Sequence, residues 1–102
     1  MFHFAHTDNA EHLTIKATGS LTFEDHAAAR SLLEVAGTSS SDSIMLDIET
    51  LKAIDSAGVG ILLFLNDHIR KLGKTFTIRK PAGTVKKVIE LAKLRDAITI
   101  ED

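Results

Sequence analysis

The residues of this chain whose types and spacing best suit chemistry are Asp55-Ser56-Ala57-Gly58-Val59-Gly60. This segment lies where a strand-like run gives way to a long apolar helix. A serine at such a junction is typical of a helix N-cap, where its hydroxyl lies near backbone N–H groups that have no partner. A phosphate on that hydroxyl would be stabilised by the same N–H groups and by the helix dipole. The segment therefore predicts a helix start, capped by Ser56, that can hold a charge switch.

Other chemistry is not favoured by the spacing of the polar residues. The five histidines fall on separate elements or opposite strand faces, without a His-x-x-x-His pair, so a metal site is not predicted. Ser56 has Ile54 two positions before it, where a nucleophile elbow needs a small residue. Gly58 and Gly60 are followed by apolar residues instead of the lysine of a phosphate-binding loop, and a third glycine of a dinucleotide fingerprint is missing. We expect neither an enzyme nor a bound cofactor.

Two features beside Ser56 allow both a structural and a functional interpretation. Gly58 and Gly60 cost helix propensity of up to about 1 kcal/mol each, which either helix–sheet packing or the close approach of a partner could offset. Ile61, Phe64 and His68 share one side of the helix, as a docking surface or beneath a neighbouring helix. At 100° per residue, the predicted buried face lies roughly opposite and comprises Val59, Leu62, Leu63, Leu65 and Ile69.

The elements that must position this segment follow from hydrophobic periodicity and from helix boundary residues. Strands are predicted at Phe2 to His6, His12 to Thr18, Ile44 to Ile48, Thr75 to Arg79 and Ile98 to Ile100. A hairpin loop is expected over 8–11 and a turn over 49–54. Helices are predicted from Thr22 to a C-terminal Gly37, from Ser56 to about Leu72 before Gly73, and from a Thr84 cap to Ala92.

This order of elements, β-β-α-β-α-β-α-β, predicts an α/β fold. After the first hairpin, each helix links two strands, which favours crossover connections and parallel pairing. We therefore expect one domain over residues 1–102. Its sheet should be mixed and mostly parallel, with an antiparallel N-terminal edge strand and the helices packed on it.

Composition and charge restrict the classes of partner and compartment. The chain is 44% hydrophobic and 25% charged and contains no cysteine, which excludes disulfides and thiolate metal sites. A net charge of −2 gives no general attraction to nucleic acid, and the apolar run 59–65 is too short for membrane insertion. The N-terminus lacks signal-peptide features, so a cytoplasmic protein is expected. Residues 52–95 carry ten basic and three acidic side chains, which indicates either a solvated basic face or steering of a charged partner.

In these features the chain resembles the STAS domain family, which includes the bacterial anti-sigma factor antagonists. The resemblance covers nearly all 102 residues. Its most specific part is the Asp-Ser-x-Gly-x-Gly element in this order of elements. The matching segments are Gly19-Ser20-Leu21-Thr22, Met45-Leu46-Asp47-Ile48, Ile54 to Gly60, Lys80-Pro81 and Leu94.

The resemblance implies a partner-switching regulator that acts in transcription control. The unphosphorylated antagonist would bind an anti-sigma factor that is also an ATP-dependent serine kinase. The kinase would phosphorylate Ser56 and thereby cause release, and a metal-dependent serine phosphatase would restore the binding form. ATP and Mg²⁺ belong to the kinase in this scheme. With the physical argument above, the expected partner-binding residues are Thr22, Asp55, Ser56, Ala57, Gly58, Ile61 and Phe64.

Two alternatives remain within the same resemblance. The chain could be a non-switching STAS subunit of a lipid-transport ATPase complex, in which Ser56 would only make contacts. It could also be a partner-switch protein whose client is not a sigma factor.

Overall fold

The strands and helices follow one another in the predicted order. The computed structural model describes residues 1–9 and 11–102, so the expected hairpin loop over 8–11 includes a residue, Ala10, outside the described residues. The strands are β1 (Phe2–Asp8), β2 (His12–Leu21), β3 (Ser43–Ile54), β4 (Thr75–Arg79) and β5 (Thr99–Glu101). The helices are α1 (His26–Thr38), α2 (Ser56–Lys71) and α3 (Gly83–Leu91), with short 3₁₀ turns at Phe23–Asp25 and Leu94–Asp96.

The five strands form one mixed sheet in the order β1-β2-β3-β4-β5. β1 pairs antiparallel with β2, and the other three pairings are parallel. This confirms the predicted fold class, including the antiparallel edge strand at the N-terminus. The parallel strands have their carboxyl ends at one edge of the sheet, and the helix that begins with Ser56 starts there.

One face of the sheet carries the apolar core. Leu13, Ile44 and Phe76 are register partners on adjacent strands, and all three are buried. Their side chains belong to one cluster with helix residues, among them Leu32, Leu62, Ile69 and Ile89. The opposite face carries polar side chains, since the register partners three residues further along the same strands are Lys16, Asp47 and Arg79.

β3 is longer than predicted because it continues through two irregularities in its pairing with β2. The register between the two strands shifts twice along this segment, each time by one extra residue on β3. Leu51 and Ile54 therefore return to the buried face although they are spaced by three residues rather than two. The predicted turn over 49–54 is wrong. The strand runs directly to the start of α2.

Helix boundaries follow the sequence signals only in part. Gly73, with φ of 79°, follows the end of α2 as predicted. Gly37 does not end α1, because the helix continues through it. Thr84 does not cap α3 either. Ala82 precedes the helix, and the Thr84 hydroxyl donates instead to the carbonyl oxygen of Lys52 at 3.2 Å.

Candidate functional site

Asp55, not Ser56, is the N-cap of α2. Its backbone is extended, and its Oδ1 accepts a hydrogen bond from the N–H of Gly58 at 2.8 Å. Its Oδ2 accepts from the N–H of Phe23 at 3.4 Å, which ties the helix start to the segment after β2. The prediction of a Ser56 cap is therefore wrong by one residue. Aspartate is as good an N-cap as serine and adds a negative charge at the positive end of the helix.

Ser56 is the first residue of α2 and is exposed. Within the described part of the chain, its hydroxyl makes no hydrogen bond. Asp55 already satisfies the N–H of Gly58 through its side chain and that of Val59 through its carbonyl oxygen. The N–H groups of Ser56 and Ala57 are the remaining donors of the first turn. The hydroxyl is thus accessible to a modifying enzyme or to a contacting protein.

The two glycines of the motif have different surroundings. A Cβ at Gly58 would lie 2.2 Å from the carbonyl oxygen of Leu21 and 2.7 Å from Cγ1 of Ile54. Gly58 is therefore needed so that α2 can pack closely on the ends of two strands, and it is buried. A Cβ at Gly60 would meet nothing within 4 Å. No internal contact requires a glycine at that exposed position.

A groove between α1 and α2 borders the first two turns of α2. This α1–α2 groove has a volume of about 350 Å³ and is lined by His26, Ala29, Arg30, Ala57, Gly60, Ile61 and Phe64. Ile61 is only 4% exposed and belongs to the core, so of the two interpretations of this side of α2, burial within the domain applies to Ile61 and the docking surface does not. Phe64 is 42% exposed and packs on His68, with ring centroids 4.1 Å apart. Leu63, expected in the core, is exposed.

A second depression, between α2 and α3, contains Ser56 itself. This α2–α3 depression has a volume of about 470 Å³ and is lined by Ile54, Asp55, Ser56, Val59, Val88, Leu91 and Ala92. Leu91 is 84% exposed although it is large and apolar. Its exposure was not predicted from the sequence. The signal available in the sequence was its spacing, because Val85 and Ile89, the buried residues of α3, are four apart and Leu91 falls outside that period.

Thr22 lies in the segment that faces the start of α2, and Asp25 fixes its position. The buried Asp25 carboxylate accepts from the N–H of Thr22 at 2.7 Å, from the Thr22 hydroxyl at 3.1 Å and from the N–H of Phe2 at 3.0 Å. Burial raises the pKa of Asp25, but these hydrogen bonds together outweigh burial and hold the pKa below its ordinary value. Phe23, next to Thr22, is 70% exposed and was not predicted as a surface residue.

Other candidate sites are not supported by the arrangement of side chains. Among residues 1–9 and 11–102, no three His, Cys, Asp or Glu side chains converge as ligands for a metal ion. In the same residues, no helix has the length and apolar character needed to cross a membrane. The exposed start of α2, between the α1–α2 groove and the α2–α3 depression, is therefore the candidate site. Its geometry suits contact with a protein or acceptance of a phosphate at Ser56.

Comparisons with known proteins agree with this fold. A family model described as "Mlab, STAS domain" matches residues 4–100. No curated protein matches the chain. A candidate anti-sigma factor antagonist from Thermotoga maritima has a TM-score of 0.84 at 20% identity, over 97% of this chain and 86% of that one. The phosphorylated form of SpoIIAA, a cell-fate determinant of Bacillus, has a TM-score of 0.68 at 21% identity, and the match covers 96% of this chain and 90% of SpoIIAA. A sulfate transporter family protein from Wolinella succinogenes has a TM-score of 0.77 at 13% identity, and the match covers 94% of this chain and 80% of the other.

Proposed function

The chain belongs to the STAS domain family, and from this premise we propose that it is a cytoplasmic partner-switching regulator of the anti-sigma factor antagonist type. It acts by binding and has no catalytic activity of its own. In its unphosphorylated form it binds an anti-sigma factor that is also a serine kinase. Phosphorylation of Ser56 releases it, and a metal-dependent serine phosphatase restores the binding form.

The observation that carries this proposal is the exposed, unbonded hydroxyl of Ser56 on the first turn of α2. A kinase needs access to its acceptor hydroxyl, and Ser56 offers it without unfolding. Around it, Asp55, Ala57 and Phe64 lie at the surface or partly so, and Thr22 is half-buried in the adjacent segment. We propose these residues as partner contacts. Gly58 and Ile61 are buried and support the surface from below.

The position of Asp55 defines how a phosphate on Ser56 acts. Phosphorylation adds a charge of about −1.5 to −2 at pH 7. The helix dipole favours this charge, whereas the neighbouring Asp55 carboxylate repels it. The core residues of α2, such as Leu62 and Leu65, lie away from the first turn and keep their packing. Phosphorylation is therefore expected to leave the fold intact and to break the interface by its charge and size.

Mass spectrometry of the protein isolated from its own cells tests this proposal. We expect phosphate on Ser56, at a level that changes with growth condition. Ser40 is also an exposed serine, but it lies in the loop after α1, and it should carry no phosphate. Absence of Ser56 phosphate under every growth condition tested would overturn the switching proposal.

Variants at the same two serines test the effect on binding. Ser56→Asp should weaken binding to the anti-sigma factor kinase by roughly tenfold or more, and Ser56→Ala should bind constitutively. Ser40→Asp is the matched control and should bind like the wild type. The circular dichroism spectrum of the phosphorylated protein should equal that of the unphosphorylated one. A loss of helical signal would contradict release through the interface.

A second candidate function is a non-switching binding subunit of a lipid-transport ATPase complex. The observation that favours it is the hydrogen bond from the N–H of Gly58 to the Asp55 carboxylate. Because this carboxylate already places a negative charge at the N-terminus of α2, a phosphate on Ser56 is less favourable there. In that function Ser56 contacts the ATPase directly, and Ser56→Ala weakens binding. The opposite effects of Ser56→Ala separate the two candidates.

A further inference from the structure

A polar cavity lies at the amino ends of the parallel strands, far from the candidate site. It has a volume of about 200 Å³ and is formed by the second half of α2, the start of β4 and the first residue of β5. Arg70 lies fourteen residues after Ser56 on α2, which at about 1.5 Å per residue is a separation of about 21 Å along the helix. The polar residues of the lining are Asn66, Arg70, Lys74, Thr75, Thr77 and Thr99. We propose that this Arg70 cavity binds a phosphate group, and the inference does not depend on the proposed function.

The charge of the Arg70 cavity is positive, because its lining contains two cations and no carboxylate. Within the described residues, the Arg70 side chain makes no ion pair and no hydrogen bond. Asp67, the acidic residue nearest to it in the sequence, pairs with Lys71 at 3.1 Å. The ammonium group of Lys74 donates to two backbone carbonyl oxygens, at 2.7 and 2.8 Å. The guanidinium of Arg70 is therefore free to bind an anion.

A backbone N–H of β4 is a further donor at this cavity. The N–H of Thr75 donates to the carbonyl oxygen of Asp42, on the β3 side, at 2.8 Å. Successive N–H groups of a strand point to opposite sides, so the N–H of Phe76 points toward β5. β5 pairs with β4 only from Thr77 onward. Within the described residues, the N–H of Phe76 therefore has no strand partner, and Phe76 lines the cavity.

Threonine hydroxyls complete the set of donors. Thr77 is 9% exposed, and in the described part of the chain its hydroxyl makes no hydrogen bond. Because buried hydroxyls normally have a partner, an oxygen atom of a ligand in the cavity would supply the one that Thr77 lacks. The Thr99 hydroxyl is likewise unbonded there. Asp42 contributes only its carbonyl oxygen to the Thr75 hydroxyl, at 3.4 Å, and does not line the cavity.

A phosphate group fits these donors better than a carboxylate or a cation does. A guanidinium binds either anion through two parallel hydrogen bonds, which use both oxygens of a carboxylate. A phosphate ester has three acceptor oxygens, so the third can accept from the Phe76 N–H or from a threonine hydroxyl. The volume is below the range of about 300–1,000 Å³ that is usual for small-molecule sites. The cavity therefore suits free phosphate or the phosphate end of a larger molecule.

Titration of ¹⁵N-labelled protein with inorganic phosphate tests the proposal. Sodium chloride and sodium acetate at equal ionic strength are the comparison anions, which removes general screening from the result. Phosphate should shift the amide signals of Phe76, Thr77 and Thr99 and reach saturation, whereas chloride should not. Glycerol 3-phosphate, titrated in the same way, distinguishes an esterified phosphate, which would bind more tightly than inorganic phosphate, from free phosphate.

Variants with matched controls identify the groups that bind. Arg70→Gln should weaken phosphate binding about tenfold, and Thr77→Val about threefold. Lys71→Gln removes the same charge from the adjacent, exposed position of α2 and should bind like the wild type. Thr14→Val removes the same hydroxyl from the row of the sheet that contains Thr77, and it should also leave binding unchanged. Circular dichroism spectra equal to that of the wild type establish that each variant is folded.

The outcomes separate this inference from the proposed function. Shifts that do not saturate, equal shifts with chloride, or an unchanged affinity of Arg70→Gln overturn the inference. Acetate that binds as tightly as phosphate overturns the assignment to a phosphate group. Shifts at Ser56 instead of Phe76 overturn it in favour of the start of α2. Saturable binding that requires Arg70 and Thr77 supports it whether or not Ser56 carries phosphate in cells.

Discussion

Replacing each glycine of α2 by alanine should change stability in opposite directions. The two substitutions add the same methyl group to the same helix, two residues apart. At Gly60 the methyl enters open space, whereas at Gly58 it meets the Leu21 carbonyl oxygen at 2.2 Å. The pair therefore separates helix propensity from packing. Neither substitution changes the charge of the protein.

The expected magnitudes follow from these surroundings. Gly60→Ala should raise the free energy of unfolding by up to about 1 kcal/mol, because alanine favours helix more than glycine does. Gly58→Ala gains the same propensity but forces a contact with backbone that cannot rotate away. Overpacking of this kind costs typically about 1–3 kcal/mol, so we expect a net loss of roughly 1–2 kcal/mol. For a domain of this size, 1 kcal/mol corresponds to about 5 °C in Tm.

Urea and thermal denaturation followed by circular dichroism measure both changes. Gly60→Ala should move Tm upward by up to about 5 °C, and Gly58→Ala should move it downward by about 5–10 °C. A stabilised Gly58→Ala variant would refute the close approach of α2 to β2. A destabilised Gly60→Ala variant would refute the open surroundings of that residue. If the α1–α2 groove also contacts a partner, Gly60→Ala should weaken partner binding while it stabilises the fold.

Two carboxylates around the same helix start give further predictions. Asp25→Asn should lower the free energy of unfolding by roughly 1–3 kcal/mol in urea denaturation. Both oxygens of the Asp25 carboxylate accept hydrogen bonds, whereas the amide of asparagine has only one acceptor oxygen. Because its pKa is lowered on folding, the Asp25 carboxylate stabilises above its ordinary pKa of about 3.9, and this stability is lost as pH falls from there through the lower folded-state pKa. The variant should therefore lose less stability than the wild type between neutral pH and pH about 3, and an identical pH profile would contradict this role. Asp55→Ala should cost about 1 kcal/mol, and Asp55→Ser, which keeps a capping oxygen, only a few tenths. Equal losses for the two variants, measured by thermal denaturation, would argue against the cap.

The sequence predicted the elements well where the hydrophobic period was regular. The alternation in β2 and the glycine after α2 led to the correct sheet and helix. The prediction from the hydrophobic period failed in β3, where two bulges change the spacing of buried residues from two to three. Bulges depend on the pairing with another strand, so the period of one strand does not reveal them.

The candidate site shows the same limit at the level of single residues. Asp55 and Ser56 are both good N-cap residues, and the local pattern does not distinguish them. The contact between Asp55 and the N–H of Phe23, 32 residues away, distinguishes them only in the folded protein. Residues 61–65 are all apolar, so the helical period alone allowed two buried faces. Packing of α2 against both α1 and the sheet buries Ile61 and leaves Leu63 at the surface.

The order of the strands has a consequence for how the protein folds. Each strand pairs with the strand before it in the sequence, from β1 to β5. The sheet can therefore grow by addition at one edge as the chain leaves the ribosome, without waiting for a later segment. Each parallel pairing closes a loop that contains a helix, as between Leu13 and Ile44, so these pairings form more slowly than the hairpin of β1 and β2. The start of α2 is held by β2, β3 and the segment between β2 and α1, so it can be in place before β4 and β5 are synthesised.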